Sequence, residues 1–229
     1  MFSCLATLCL TKKDISKLDI HLNRYVTYLQ KFYKGTPRSF SLLVGGSLPG
    51  EAIFHRKQLS LFDMICRLED TDPLKMHAKY ILTTQNIKCK SWFNQIEKLC
   101  EIYVLPKCLT WLNSPPEKDY LKKLVKLKII DYWQIKLREE ALQLKSLKYF
   151  NPYYYSLNFP SKAYKAAGVN RYEVLKLNIQ LLMLSGRYRT AKLCRFWTSN
   201  KAGFCQMGHP CFEYVDTIAH ILVQCPSVL

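Results

Sequence analysis

The sequence predicts an all-α protein that ends in a small zinc module, and three observations carry that expectation. Apolar residues recur at three- and four-residue steps through most of the chain. No segment shows a dependable two-residue alternation, and no internal repeat stands out. The last twenty-five residues hold Cys205, Cys211, His220 and Cys225, three thiols and an imidazole that make up a closed tetrahedral set for a structural zinc ion.

The helices follow in order. Asp14 reads as the N-cap of a first helix whose apolar side holds Ile15, Leu18, Leu22, Tyr25, Val26, Leu29, Phe32 and Tyr33, with Gly35-Thr36-Pro37 as its end. After Gly45, Gly46, Pro49 and Gly50 a second amphipathic segment covers residues 51–68. Pro73 opens a third, to residue 84, and residues 92–103 form a fourth. Pro106 and the pair Pro115-Pro116 mark a mid-chain hinge. Beyond it lies the longest helix, residues 118–144, with Leu121, Leu124, Val125, Ile129, Trp133, Ile135 and Leu137 as apolar positions. Residues 149–164 carry Pro152, Pro160 and Tyr153-Tyr154-Tyr155, and read as a loop over the fold. Helix returns over residues 171–185 and again over 188–197. The division that follows is a helical region 1–115, a basic helical region 116–200 and a zinc module 201–229.

Within that module, the apolar residues between His220 and Cys225 read as helix, which carries both ligands toward a metal held by the Cys205–Cys211 loop. Gly203, Gly208 and Pro210 suit a tight turn around the first pair. The alternative is a set of small buried thiols.

Lys and Arg number 34 against 17 Asp and Glu, a net charge of +17. In a folded chain such an excess points to a polyanionic partner. No apolar run approaches the roughly 18 residues that a membrane span needs, so nucleic acid is expected and a membrane is not. The first ten residues are apolar but lack a basic start and a small-residue cleavage site. The ten cysteines are therefore expected as reduced thiols in the nucleus or cytoplasm, not as disulfides of a secreted protein.

The densest basic stretch spans residues 162–201. It holds Lys162, Lys165, Arg171, Lys176, Arg187, Arg189, Lys192, Arg195 and Lys201 against Glu173 alone. Tyr172, Tyr188 and Trp197 are interleaved with these cations, a mixture in which rings stack on bases while cations neutralise phosphates. Ser185 to Thr190 is a polar break between two helices, where backbone amides can meet a phosphate. A second basic run is Lys118, Lys122, Lys123, Lys126 and Lys128, with Lys122 and Lys126 on one face. The competing reading of both runs is a solvated helix surface.

Catalytic signatures are missing. Gly45-Gly46-Ser47-Leu48-Pro49-Gly50 matches neither a Walker loop nor a dinucleotide fingerprint. No aromatic-x-Asp-Asp occurs, and no carboxylate pair suits two-metal phosphoryl transfer. Asp63, Glu69, Asp70 and Asp72 read as capping and solvation. His21, His55 and His77 lie on helices away from any nucleophile arrangement and read as structural. The chain is expected not to be an enzyme on its own.

One collinear set of segments resembles a known family. It runs Leu18-Asp19, Leu29-Gln30, Thr36-Pro37-Arg38, Gly46-Ser47-Leu48-Pro49, His55, residues 59–68, Ser91-Trp92-Phe93 with Gln95-Ile96, Tyr172-Glu173-Val174, residues 183–190, and the terminal Cys205, Cys211, His220 and Cys225 before Pro226. The order resembles the part of non-LTR (LINE-type) retrotransposon polyproteins that lies downstream of the reverse transcriptase palm, over nearly the whole chain. The resemblance implies a helical thumb/connector region followed by a Cys-Cys-His-Cys zinc knuckle. The implied partners are element RNA and target DNA during target-primed reverse transcription, with the upstream reverse transcriptase domain as a further one. It also implies that the polymerase aspartates and an endonuclease lie N-terminal to Met1, which is then an internal methionine of a longer element. The five-residue gap between Cys205 and Cys211 departs from the usual spacing, and Cys194 or His209 are substitute ligands.

The expectation is a non-catalytic nucleic-acid-binding fragment holding one structural Zn2+. Its contacts are Arg171, Lys176, Arg187, Tyr188, Arg189, Lys192 and Arg195, joined by Lys122 and Lys126. The alternatives are a host-adopted helical and zinc scaffold for a protein partner, and an inert translated relic of such an element.

Overall fold

Thr11, not Asp14, opens the first helix, α1 (Lys12–Leu29). The Thr11 hydroxyl accepts the Asp14 amide at 3.3 Å, and the Asp14 carboxylate accepts the Thr11 amide at 3.3 Å. This reciprocal capping box places Asp14 inside the helix, at its third position. The computed structural model describes residues 10–84, 91–168 and 170–186, and among these there are helices, turns and no strand.

α1 ends well before Gly35. Lys31 turns left-handed at φ 54°, its amide reaches the Tyr28 carbonyl (2.9 Å), and the Phe32 amide reaches that of Thr27 (3.0 Å). A lysine pays roughly 1–2 kcal/mol for that conformation. The turn sends the buried Phe32 inward against Phe40, ring centroids 5.5 Å apart.

α2 (Arg38–Gly45) has no counterpart in the sequence reading. Residues 39–44 are all buried, so the helix shows a short apolar run without amphipathic period. Gly46 ends it at φ 61°, where a Cβ would collide with the carbonyl of Phe159. A glycine is required there by both conformation and space.

α3 (Gly50–Cys66) is the central element, packed against α1, α2's neighbour α7 (Lys118–Gln143), α4 (Pro73–Thr84), α5 (Trp92–Ile102) and α6 (Cys108–Asn113). Asp19 of α1 accepts the Gly50 amide at 2.8 Å and so caps α3 from outside. Among the acidic residues in the last turn of α3 and beyond it, Asp72 caps, as expected, whereas Asp63 and Asp70 form ion pairs where solvation was expected. Asp63 binds Arg67 at 2.8 Å, Asp70 binds Lys75 and Lys79, and Asp72 accepts the Leu74 amide at the start of α4.

α6 sits between Pro106 and Pro115-Pro116, inside the stretch read as a hinge. Its first amide, of Cys108, is taken by Glu97 of α5 at 3.1 Å. One buried cluster holds Phe62, Ile96 and Trp111 together with Ile129, Trp133 and Leu137, so the residues before and after Pro115-Pro116 share a core.

α7 buries Leu121, Val125, Ile129, Trp133, Leu137 and Ala141, every fourth residue. Four residues overshoot a helical turn by about 40°, so this row winds around the helix as it runs. Its inner side therefore meets α3 and α2, then the strap beyond its C-terminus. One expected core position is corrected: Ile135 is 58% exposed, because its place two residues from both Trp133 and Leu137 puts it on the opposite side of the helix.

The stretch after α7 is a strap laid over the fold, as its prolines suggest. It contains 3-10 turns at Lys145–Leu147 and Pro152–Tyr154. Gln134 and Arg138 of α7 both donate to the Tyr155 carbonyl at 3.1 Å, and the Gln134 side chain accepts the Leu157 amide. Farther along, the Asn158 amide reaches the Gly46 carbonyl and the Ser161 amide that of Val44. Two short helices follow, α8 (Lys162–Ala167) and α9 (Arg171–Leu184), packed on each other. The expected helix over 188–197 and the zinc module 201–229 lie outside the described residues.

Candidate nucleic-acid interface

The α7 helix that buries one row of apolar residues shows lysines on its outer side. Lys118, Lys122 and Lys126 follow one another at four-residue steps, and all are exposed, as is Lys123. None of them takes part in an ion pair among the described residues, whose pairs draw on Arg38, Arg67, Lys75 and Lys79. These ammonium groups keep their charge for the solvent or a partner.

On α9, Arg171 and Lys176 are exposed, as is Tyr172 one step from Arg171. Asn170 caps the helix by accepting the Tyr172 amide at 2.9 Å. Gly186, the last described residue, is packed against the carbonyl of Ser146, just beyond the C-terminus of α7. Lys126 lies 18 residues before Leu144 on that helix, a separation of about 27 Å at 1.5 Å per residue. The lysine row is therefore near one end of α7, and the end of α9 at Gly186 is at the other. Arg187, Tyr188, Arg189, Lys192 and Arg195 lie outside the described residues, as do Cys205, Cys211, His220, Cys225 and the substitutes Cys194 and His209. No group of three or more metal-binding side chains is assembled among the described residues.

The three described histidines lie on helices, as the sequence placed them. His21 and His77 are exposed on α1 and α4. His55 is buried on α3, its Nδ1 2.8 Å from the Tyr103 hydroxyl, which also accepts the Trp133 indole N–H at 3.1 Å. The hydroxyl thus links His55 of α3 to Trp133 of α7. Burial and the nearby Lys136 ammonium hold the imidazole pKa down to about 4. Burial also raises the Tyr103 phenol and the Glu51 carboxyl one helical turn from His55. Trp133 carries two cations near its ring, Lys136 at 4.3 Å and Arg38 at 5.6 Å. Arg38 is tied to Asp19 (2.6 Å) and Glu140 (3.2 Å) and so joins α1, α2 and α7. His55, Tyr103 and Trp133 thus form a hydrogen-bonded chain through the interior, with the Arg38 ion pairs beside it.

Three described cysteines are free and buried, Cys66, Cys100 and Cys108. The Cys100 and Cys108 sulfurs are 3.6 Å apart. Burial pushes the Cys66 thiol up to about 12, and the Cys100 thiol beside it raises Cys108. Such protonated thiols are poor nucleophiles.

Sequence reasoning missed one display of side chains. Tyr149, Tyr153 and Tyr154 are 53%, 63% and 85% exposed on the strap. The signal was present: between residues 141 and 172 the chain has Lys145, Lys148, Lys162, Lys165 and Arg171 and no Asp or Glu.

The described residues define an all-α protein with a lysine row on its longest helix. No helix among them is long and apolar enough to cross a membrane. Comparison with protein-family models, curated proteins and solved structures found no match.

Proposed function

We propose that this chain is the non-catalytic, nucleic-acid-binding C-terminal part of a non-LTR retrotransposon reverse transcriptase, acting in the nucleus or cytoplasm. The observation that carries the reading is the row of exposed, unpaired lysines on α7 in a chain of net charge +17. A polyanion gains most from such a row because each ammonium can neutralise a phosphate and release a counterion. The collinear segments from Leu18 to Cys225 supply the family, and with it element RNA, target DNA and the upstream polymerase domain as partners. Cys205, Cys211, His220 and Cys225 are proposed to hold one structural zinc ion, whose binding energy folds the terminal module. In this reading Lys122 and Lys126 contact phosphates from α7, and Arg171, Lys176, Arg187, Arg189, Lys192 and Arg195 do so from the later basic stretch, with Tyr188 stacking on a base.

The test is a titration of labelled RNA and DNA over a range of salt. Binding should fall steeply as salt rises. Lys122→Ala with Lys126→Ala should flatten the slope of log affinity against log salt by up to about two, one per lost phosphate contact. An unchanged slope removes α7 from the interface. A second reading, a scaffold for a protein partner, is favoured by Tyr25, Tyr28 and Leu29, which stand exposed together near the end of α1. That reading predicts no salt-dependent binding to either nucleic acid.

A further inference from the structure

The strap combines three properties. Its backbone is fixed: Phe150, Pro152 and Leu157 are buried, the Tyr155 carbonyl accepts from Gln134 and Arg138, and the Asn151 side chain accepts the Tyr153 amide at 3.0 Å. Its rings point outward, Tyr154 most of all. Cations stand over two of them, the Arg138 guanidinium 5.3 Å from the Tyr153 ring centre and the Lys148 ammonium 5.7 Å from that of Tyr149.

Exposed tyrosines on a fixed backbone present flat apolar faces at little entropic cost, since the chain that carries them is already ordered. The cations beside Tyr149 and Tyr153 offer partners for the phosphates of nucleotides stacked there. The stretch from 141 to 172 has five cations and no carboxylate of its own, a balance that favours an anionic ligand. A duplex keeps its base faces stacked inside, whereas a single strand presents them. We propose that Tyr149, Tyr153 and Tyr154 form a stacking platform for the unpaired bases of a single-stranded nucleic acid. This deepens, and rests on, the nucleic-acid reading above. It adds a contact surface formed by the strap, beside the later basic stretch and the α7 row.

The experiment measures binding of the full chain to a labelled single strand about 12 nucleotides long, within the site sizes of single-strand binders. Ribose and deoxyribose forms are run in parallel, with a duplex of the same length as control. Tyr153→Ala with Tyr154→Ala should weaken single-strand binding roughly 5- to 150-fold for each stacked base lost. Duplex binding should change much less, and the salt slope should stay as it was because no phosphate contact is removed. Tyr153→Phe with Tyr154→Phe should bind as the parent does. A folded alanine pair with parental single-strand affinity overturns the platform, as does an equal loss on single strand and duplex. If the alanine pair fails to fold, Tyr154→Ser alone carries the comparison from the most exposed position. The two levels separate cleanly. A parent chain that binds no nucleic acid removes the general reading and the platform with it, whereas a parent that binds and a pair that binds equally well removes the platform alone.

Discussion

Tyr103 and Tyr154 put the same side chain to opposite uses. Tyr103 is 1% exposed, accepts the Trp133 indole, shares a hydrogen bond with His55, and packs edge-on against Tyr132. Tyr154 is 85% exposed on a 3-10 turn. The Tyr103 hydroxyl is shared between His55 and Trp133, so the region is a joint between α3, the end of α5, and α7. Around Tyr154 the backbone is consumed instead, by Gln134, Arg138 and Gly46, and the side chains are left outward. Aromatic content alone therefore does not separate core from surface here. What separates them is which atoms, side chain or backbone, hold the hydrogen bonds.

The largest test of this contrast removes the indole at the joint. Trp133→Ala should destabilise the chain by about 3–5 kcal/mol, the range for truncating a buried large aromatic. Part of that loss comes from leaving the Tyr103 hydroxyl short of a donor and Arg38 and Lys136 without their ring. Urea melts would measure it. A loss below about 1 kcal/mol would mean that the joint is not structural.

The next test uses acid. His55 is held at about 4 in the folded chain against an ordinary 6.5, so the unfolded chain takes up this proton first. Stability is unaffected above pH 6.5, falls as pH drops from 6.5 to about 4, and flattens below. The full loss from this group is about 3 kcal/mol. Glu51, whose carboxyl is raised by burial, works in the opposite sense in the acid range, because there the folded chain protonates first. His55→Gln keeps a side-chain acceptor for Tyr103 and should flatten the pH dependence between 6.5 and 4. An unchanged slope would show that His55 titrates normally.

The smallest effect belongs to the strap. Tyr154→Ala should leave stability within about 0.5 kcal/mol, as for an exposed residue remote from packing. A larger loss would turn Tyr154 into a structural residue and bring the two regions together.

Most helices could be read from residue pattern because their buried sides have helical period and their starts have proline or serine. α4 begins at Pro73 and α5 after Ser91, as expected. α2 could not be read, because burial on nearly all sides erases the polar face that makes a helix visible. The end of α1 was hidden for another reason: Lys31 holds a left-handed turn that sequence assigns to glycine. Ile135 was misplaced because it stands two residues from both Trp133 and Leu137, which turns it to the far side of the helix although it is apolar. Of the candidate contacts, Lys122, Lys126, Arg171 and Lys176 are on outer surfaces, and their charge was legible from the sequence. That Lys122 and Lys126 sit far along α7 from Gly186 was not, since it depends on how α9 returns past Ser146.

Local sequence by itself determined the helical class, the reach of α3, α4, α5 and α7, and the excess of positive charge. These follow from short-range period, capping chemistry and a count of ionisable groups, none of which needs a distant contact. Only the tertiary structure decided that residues on both sides of Pro115-Pro116 share one core, that Tyr103 is committed to His55 and Trp133, and that Tyr153 and Tyr154 face outward. Each of those depends on residues 30 or more positions apart meeting, or on which backbone atoms find partners in a neighbouring helix. The reason is physical: an aromatic side chain gains by burial or by display according to what surrounds it, and the surroundings exist only once the chain has folded.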